Sequence, residues 1–438
     1  MSEANPRARG AAPSPELARV IGLPGAVWLG LGSILGTGVF VSLGLATGVI
    51  GNGVVPAVAL AALVATATGL SSAQLAAAHP VSGGTYEYGH RFVGPAAGFA
   101  AGWVFLAAKG ASAATAALGC SGYLLHSLGL PTGFATRVGV ALALVAAVTT
   151  LVASGLSRSN RVNIAVVSFT LFGLLAFVVF GWLSVDRSLL TQRIGPMTWL
   201  TAVQSPRALL HATALLFVAY AGFGRIATLG EEVRDPARTI PRAIMATLVL
   251  TMLVYLAVSA TAVAVVGVGV FGASTHGTGA TLEEVARAFR HPHVAAIVAA
   301  SAVTAMAGVL LNLLLGLSRV LLAMARRREM PVWLDRVTEA GSPARAVWAI
   351  GGLIAGLTAL GDLKTTWSFS AFNVLVYYGI TNLAALRLPP EARRFPRWVS
   401  WAGLCSCLGL AFFVEWPIWV AGLSMIAAGG LFRAWILR

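Results

Sequence analysis

The sequence predicts an all-α integral membrane protein with about twelve transmembrane helices. Of its 438 residues, 58% are hydrophobic and only 10% are charged, and the mean hydropathy of +0.83 lies far above that of soluble domains. Apolar runs long enough to cross the hydrocarbon core of a bilayer recur along the chain. The predicted spans are 19–48, 54–78, 96–125, 135–155, 162–184, 208–230, 241–269, 294–322, 346–361, 367–386, 398–414 and 417–435.

The formal charge of +15 is explained by membrane topology and does not indicate a nucleic-acid partner. If the N-terminus lies in the cytoplasm, twenty of the thirty Lys and Arg residues fall in inner segments, seven in outer segments and three at membrane depth. Cytoplasmic loops carry such an excess of positive residues. We therefore predict a multi-pass protein of the cytoplasmic (inner) cell membrane with both termini in the cytoplasm.

The remaining features predict one transmembrane domain, 19–438, preceded by a disordered cytoplasmic tail, 1–18. The tail carries three prolines and two arginines without an apolar run. The three cysteines fall in predicted spans, and no Cys/His cluster has the spacing of a metal site. No spaced nucleophile and base appears in the spans. We expect no metal, no cofactor and no enzymatic activity, and the oligomeric state is left open.

Glycines interrupt the first and the sixth predicted spans. The stretch GSILGTGVF runs from Gly32 to Phe40, and the stretch AYAGFG runs from Ala219 to Gly224. The second interruption comes five spans after the first, and because five is odd, a repeat that starts there has the opposite membrane orientation. Paired interruptions in two inverted halves indicate a transporter whose substrate binds near the membrane midplane. Close helix packing is the alternative role for such glycines.

Four segments make the interpretation specific, because they resemble the amino acid/polyamine/organocation (APC) transporters. They are GSILGTGVF, HPVSGGTYEYGHRFVGPAAGFAAGW, FVAYAGFGRIATLGEEVRDPARTIPRAI and SRVLLAMARRREMP, spread in family order over some three hundred residues. The resemblance implies a LeuT-type fold of two inverted five-helix repeats, about 19–184 and 208–386, with accessory helices at about 398–435. It also implies alternating-access transport of amino acids or related amines, driven by protons or by exchange.

The resemblance further implies a substrate site built from main-chain atoms at the two breaks. A zwitterion needs partners for both of its charges in a low-dielectric site. Amides at the start of the resumed first helix suit the carboxylate, and carbonyls freed beside both breaks suit the ammonium. The predicted substrate-binding residues are Ser33, Ile34, Gly36, Thr37, Gly38, Tyr220, Ala221, Gly222 and Phe223.

The acidic residues favour a neutral, apolar amino acid as the substrate. All fifteen Asp and Glu residues can be placed outside a span or at its edge, whereas a carrier of cationic substrates is expected to offer them a buried carboxylate. Carriers of cationic or acidic amino acids stay open as alternatives, as does a membrane sensor that keeps the fold without transport. Sodium coupling is disfavoured, because no intramembrane carboxylate is available, but it is not excluded.

Four further residues are candidates for coupling or gating. Lys109 lies near the middle of the third span and could lose and regain a proton during the cycle, although a lysine there could also simply snorkel. Many relatives have a lysine in the fifth helix where this chain has Thr170, so Lys109 is a possible replacement. Arg225 follows the second break and could cap carbonyls or contact an acidic substrate, and Phe217, with Tyr220 and Phe223, could form an aromatic gate.

Overall fold

The computed structural model describes residues 21–81, 83–155, 160–195, 205–228, 230, 232–275, 279–338 and 343–436. The predicted tail 1–18 lies outside these ranges. Throughout the described ranges the chain is helical apart from turns and connectors, and the β-contact recorded there is an isolated bridge between Ile21 and Val233. The prediction of an all-α fold is confirmed.

The helices of the first half include a broken first span. A π-helical turn, Gly38–Ser42, precedes α2, and a short turn and a π-helical turn, Thr85–Tyr88 and Gly89–Val93, connect α3 to α4. The helices are α1 Leu23–Ile34, α2 Leu43–Ile50, α3 Val54–Ala78, α4 Pro95–Ser127, α5 Phe134–Ala153 and α6 Asn160–Ser184.

The second half begins after a short helix, Leu190–Ile194, and also opens with a broken span. A 3₁₀ turn, Ala221–Phe223, separates α7 from α8. The helices are α7 Pro206–Tyr220, α8 Gly224–Ala227, α9 Pro236–Ala273, α10 Thr281–Arg287, α11 His293–Arg326, α12 Ala344–Ala359, α13 Leu363–Leu386, α14 Arg397–Ala411 and α15 Trp416–Ile436.

The described ranges contain nine segments that are long and apolar enough to cross a membrane, which confirms the multi-span fold. The other three of the twelve predicted spans are short. The first half of the broken span, Leu23–Ile34, and the helix Ala344–Ala359 are apolar but have only 12 and 16 residues, and α14 has 15. In addition, a short helix that the sequence did not predict, α10, lies in the connection between the seventh and eighth spans.

The third span, α4, lies at the centre of the bundle. In its apolar window, 89% of the residues are buried inside the protein, against 22% for α5 and 11% for α15. Its most extensive packing partners are α11 and α13. Small residues permit this close packing, since a methyl group on Gly102 would lie 2.8 Å from both the Met324 Sδ of α11 and the Tyr86 ring. A residue on α4 can therefore reach the centre of the molecule.

The two breaks differ in backbone conformation. At the first, α1 ends at Ile34 and Leu35 adopts an extended conformation, with ψ of 103°, before the π-helical turn. At the second, Tyr220, Ala221, Phe223 and Gly224 keep right-handed helical angles, and the chain tightens into one 3₁₀ turn. The first span is therefore interrupted, whereas the sixth span stays helical and is only wound more tightly at the break.

Candidate substrate site

The two breaks lie directly against each other. A side chain on Gly222 would overlap the Ser33 carbonyl oxygen and lie 2.5 Å from the Ile34 Cγ1 atom. Glycine is required there because the two backbones approach too closely for a Cβ atom. The structure thus brings the two glycine-rich stretches together at one place, as a shared binding site needs.

The first break leaves polar main-chain groups without partners. The Gly36 carbonyl accepts hydrogen bonds from the amides of Val39 and Phe40, both at 3.1 Å, and so starts the second half of the helix. Within the described chain, none of the hydrogen bonds at this break is donated by the amides of Gly36, Thr37 or Gly38. These are the free donors of a helix N-terminus, where an anion binds favourably.

The Thr37 hydroxyl adds a fourth polar group to the same place. Its Oγ1 atom is buried and has no hydrogen-bond partner among the residues that the structure describes. A buried hydroxyl without a partner is costly. This group is therefore available to a ligand that reaches the free amides.

Two tyrosines that sequence reasoning missed fix the carbonyl groups of both breaks. The Tyr255 hydroxyl of α9 lies 3.2 Å from the Ile34 carbonyl oxygen and 3.1 Å from that of Ala219. The Tyr378 hydroxyl of α13 donates to the Ala221 carbonyl at 2.7 Å. A buried tyrosine hydroxyl needs a polar partner, so a tyrosine in the middle of an apolar span was the available signal.

A small cavity of about 40 Å³, here called the deep cavity, lies at the breaks. Its polar end is formed by Ser33, Thr37 and Gly38, and Ser112 also lines it. The Ser112 hydroxyl is engaged with that of Ser370 at 2.7 Å. The apolar wall of this cavity is formed by Ile34, Val218, Val309, Leu313 and Trp367.

A larger cavity of about 270 Å³, here called the vestibule, continues from the deep cavity. The two cavities share Ser33, Lys109, Gly222, Val309 and Leu313. The vestibule extends to the loop after α3 and to the segment after α8, which contribute Gly83, Glu87 and Glu232 to its lining. Both segments belong to the side that the sequence predicts to be cytoplasmic.

Lys109 stands where the two cavities join. It lies in the middle of α4 and lines both of them. No hydrogen bond or ion pair links its ammonium to any residue that the structure describes. An unpaired ammonium at membrane depth is costly and is usually functional.

Hydrogen bonds and ion pairs join loop and helix residues at the mouth of the vestibule. The Tyr86 hydroxyl donates to the Glu329 carboxylate at 2.6 Å, and the His90 Nε2 atom lies 3.2 Å from the same carboxylate. Burial, together with the bond to Glu329, raises the pKa of Tyr86, so its hydroxyl stays a proton donor. Glu87 is bound by the Arg327 guanidinium at 2.6 Å. The loop after α3 is therefore anchored to the end of α11.

The other predicted residues take different places. Ala221, Gly222 and Arg225 line the vestibule, and Ile34 and Gly38 line the deep cavity. Gly36 lines neither cavity, and a side chain there would lie 2.6 Å from the Val309 Cγ2 atom.

The predicted aromatic gate and Thr170 lie outside both cavities. Phe217 and Phe223 are fully buried and pack on the Tyr378 ring at centroid distances of 5.7 and 5.0 Å. The Tyr220 hydroxyl donates to the Val58 carbonyl at 3.3 Å. Thr170 donates to the Val166 carbonyl of its own helix at 2.8 Å.

Comparison with known proteins decides the family. The model of the amino acid permease family matches residues 25–435. The chain belongs to this family. Amino acid permeases are membrane transporters and not enzymes, and the family fits a LeuT-like multi-span fold, in agreement with the two broken helices described above.

Three relatives show the range of proteins that this permease resembles. An uncharacterized transporter of Mycobacterium tuberculosis is 39% identical over 417 residues, which cover 94% of this chain and 90% of the relative. The branched-chain amino acid permease BcaP of Bacillus subtilis is 28% identical over 413 residues, 90% of this chain and 86% of the relative. The methylthioribose transporter of Bacillus subtilis is 25% identical over 445 residues, 95% of this chain and 93% of the relative.

Proposed function

We propose that this permease carries neutral, apolar amino acids across the cytoplasmic membrane by alternating access, with both termini in the cytoplasm. The observation that carries the proposal is the deep cavity, in which free polar groups at the breaks face an apolar wall. This arrangement matches a zwitterion with a hydrocarbon side chain. The likeness to a branched-chain amino acid permease supports the same substrate class. The repeats 19–184 and 208–386 supply one break each.

The two charges of the substrate have separate partners at the first break. The amides of Gly36, Thr37 and Gly38 bind the carboxylate, and the Thr37 hydroxyl adds one more donor. The ammonium donates to main-chain carbonyls, of which that of Ser33 lies beside Gly222. The Ala221 carbonyl keeps a second lone pair beyond its bond to Tyr378.

The apolar wall selects the side chain of the substrate. Aliphatic side chains around the deep cavity include those of Val218, Val309 and Leu313. Trp367 is held in place by its bond to the Leu215 carbonyl at 2.9 Å. Each buried methylene contributes about 0.8 kcal/mol. Among the described residues that line the deep cavity there is no carboxylate for a distal cation, so lysine and arginine are poor substrates.

Lys109 couples transport to protons in this proposal. It lines both cavities, and its ammonium has no partner among the described residues. Closing the vestibule would therefore remove water from the ammonium and favour loss of the proton. Arg225 contributes to gating on the inner side. The neutral substrate class does not depend on this coupling role.

The proposal is tested by thermal stabilisation of the purified permease across the amino acids, at two pH values and with and without sodium. Leucine, isoleucine, valine and methionine are expected to stabilise it. Gly36→Val removes this stabilisation because the new side chain meets Val309, while membrane insertion is kept. Gly356→Val is the matched control, since a side chain at Gly356 meets open space.

Two results would contradict the proposal. Stabilisation confined to lysine and arginine would overturn the substrate class. Binding of apolar amino acids without counterflow in proteoliposomes would indicate a sensor that does not transport them.

A further inference from the structure

Three cationic side chains line the vestibule. Arg225 comes from α8, Arg319 from α11 and Lys109 from α4, so three separate helices direct positive charge into one cavity. Both arginine side chains are exposed to the cavity. Neither forms a hydrogen bond or an ion pair through its guanidinium with any residue in the described ranges.

The carboxylates of the vestibule do not balance these cations. Glu87 is already paired with Arg327 at 2.6 Å. Glu232 is the other described carboxylate in the lining. Among the described residues of the lining, Lys109, Arg225 and Arg319 thus stand against one carboxylate that is not ion-paired, and the surplus charge is positive.

The charged lining is combined with apolar surface. Leu317 and Val320 lie within one turn of Arg319 on α11, and Phe105 lies one turn before Lys109 on α4; all three line the vestibule. Water-excluding walls strengthen the attraction of a cavity for an ion of the opposite sign. Guanidinium groups bind carboxylates through two parallel hydrogen bonds, which fix the orientation of the carboxylate as well as attract its charge.

We propose that the vestibule is a second binding site, separate from the deep cavity, for a small carboxylate with an apolar body. Arg225 and Arg319 clamp the carboxylate, and the aliphatic side chains of α11 contact the body. This inference goes beyond the proposed function, because the ligand needs no ammonium and does not use the amides of the first break. A bound carboxylate stands between the deep cavity and the inner side and therefore inhibits transport.

Binding is measured by calorimetry on the full-length permease in nanodiscs, with isocaproate and isoamylamine as probes. The two share one hydrocarbon body, and only isocaproate has a carboxylate. Isocaproate is expected to bind and isoamylamine is not. Arg225→Gln and Arg319→Gln each weaken isocaproate binding about tenfold, the effect of losing a charge-assisted hydrogen bond.

Matched variants separate this site from the rest of the molecule. Arg336→Gln removes an exposed arginine outside the vestibule and leaves isocaproate affinity unchanged. Gly38→Val, whose side chain would meet the Tyr255 hydroxyl and Ala219 and so obstruct the deep cavity without contacting the vestibule lining, also leaves it unchanged. If a Gln variant fails to fold, Arg225→Lys and Arg319→Lys keep the charge without the bidentate geometry and are expected to weaken binding by a smaller factor.

Three results would contradict this site: no isocaproate binding to the unaltered permease, equal affinity in the arginine variants, or loss of binding in Gly38→Val. The last result would show that isocaproate binds in the deep cavity and not in the vestibule. Failure of the proposed function looks different, because L-leucine would then not bind while isocaproate still does.

Discussion

The two ends of the bundle are held in opposite ways. At the α10 end, the Tyr123 hydroxyl of α4 accepts from the Leu282 amide at 2.8 Å and donates to the Phe40 carbonyl at 2.9 Å. At the vestibule end, the Arg225 and Arg319 guanidiniums line a cavity and bind no residue in the part of the chain that the structure describes. The α10 end is thus closed by hydrogen bonds that reach the first broken helix, whereas like charges line the open end.

Ion pairing extends the closure at the α10 end. The Arg287 guanidinium donates to the Glu283 carboxylate at 2.8 Å and to the His126 carbonyl at 3.1 Å. Glu283 is only 2% exposed, although it lies outside the spans.

The ties at the vestibule end, Tyr86 to Glu329 and Arg327 to Glu87, join the loop after α3 to the end of α11 and are not formed with the broken helices. The two ends therefore differ in which segments their polar contacts hold together.

The largest expected effect comes from forcing the two breaks apart. Gly222→Ala places a Cβ atom on the Ser33 carbonyl oxygen, and backbone cannot yield as a side-chain tip can. We expect uptake in proteoliposomes to fall to background. Gly356→Ala is the control and keeps full uptake. Normal uptake by Gly222→Ala would show that the contact between the breaks is dispensable.

The second effect concerns the junction between the cavities. Lys109→Met keeps the length of the side chain and removes the proton-binding group. Proton-driven uptake is expected to fall about tenfold or more, a barrier change of ~1.4 kcal/mol, whereas counterflow without a proton gradient is retained. Full proton-driven uptake by the variant would show that Lys109 does not couple transport to protons.

The third effect concerns the hydrogen bonds of Tyr123 at the α10 end. Tyr123→Phe removes two hydrogen bonds, each contributing about 1 kcal/mol, so amide hydrogen exchange in 281–287 is expected to accelerate about fivefold or more. Tyr86→Phe is the matched control at the vestibule end, where the hydroxyl binds Glu329. If amide exchange in 281–287 accelerated equally in both variants, the hydrogen bonds of Tyr123 would not be specific to the α10 end.

The smallest effect is a pH dependence at Glu283. Burial raises the pKa of this carboxyl above its ordinary value of 4.5, against the opposing effect of Arg287. The protonated form is therefore favoured in the folded state, and its stabilising contribution is complete below pH 4.5 and is lost as the pH rises through the raised pKa.

The melting temperature measures this dependence. Relative to Glu283→Gln, which cannot ionise, the unaltered permease is expected to lose about 1–2 °C as the pH rises from 4.5 toward neutrality. If the difference in melting temperature between the two proteins stayed constant over this range, burial would not be what sets the pKa of Glu283.

The breaks and the order of the helices could be predicted because they depend on local sequence. Glycines in an apolar run weaken the helix at that place, and hydropathy locates the membrane spans. The role of Tyr255 could not be predicted in this way. Its hydroxyl lies beside Ile34, 221 residues away in the chain, and only the packed bundle brings them together. The vestibule depends equally on side chains from three distant helices.

The position of the Tyr255 hydroxyl has a consequence for communication inside the site. One proton lies within reach of two acceptors, the carbonyl oxygens of Ile34 and Ala219. When it points fully toward one, the other is released to accept from a ligand. Through this one hydroxyl, the hydrogen bonding of the first break depends on that of the helix before the second break.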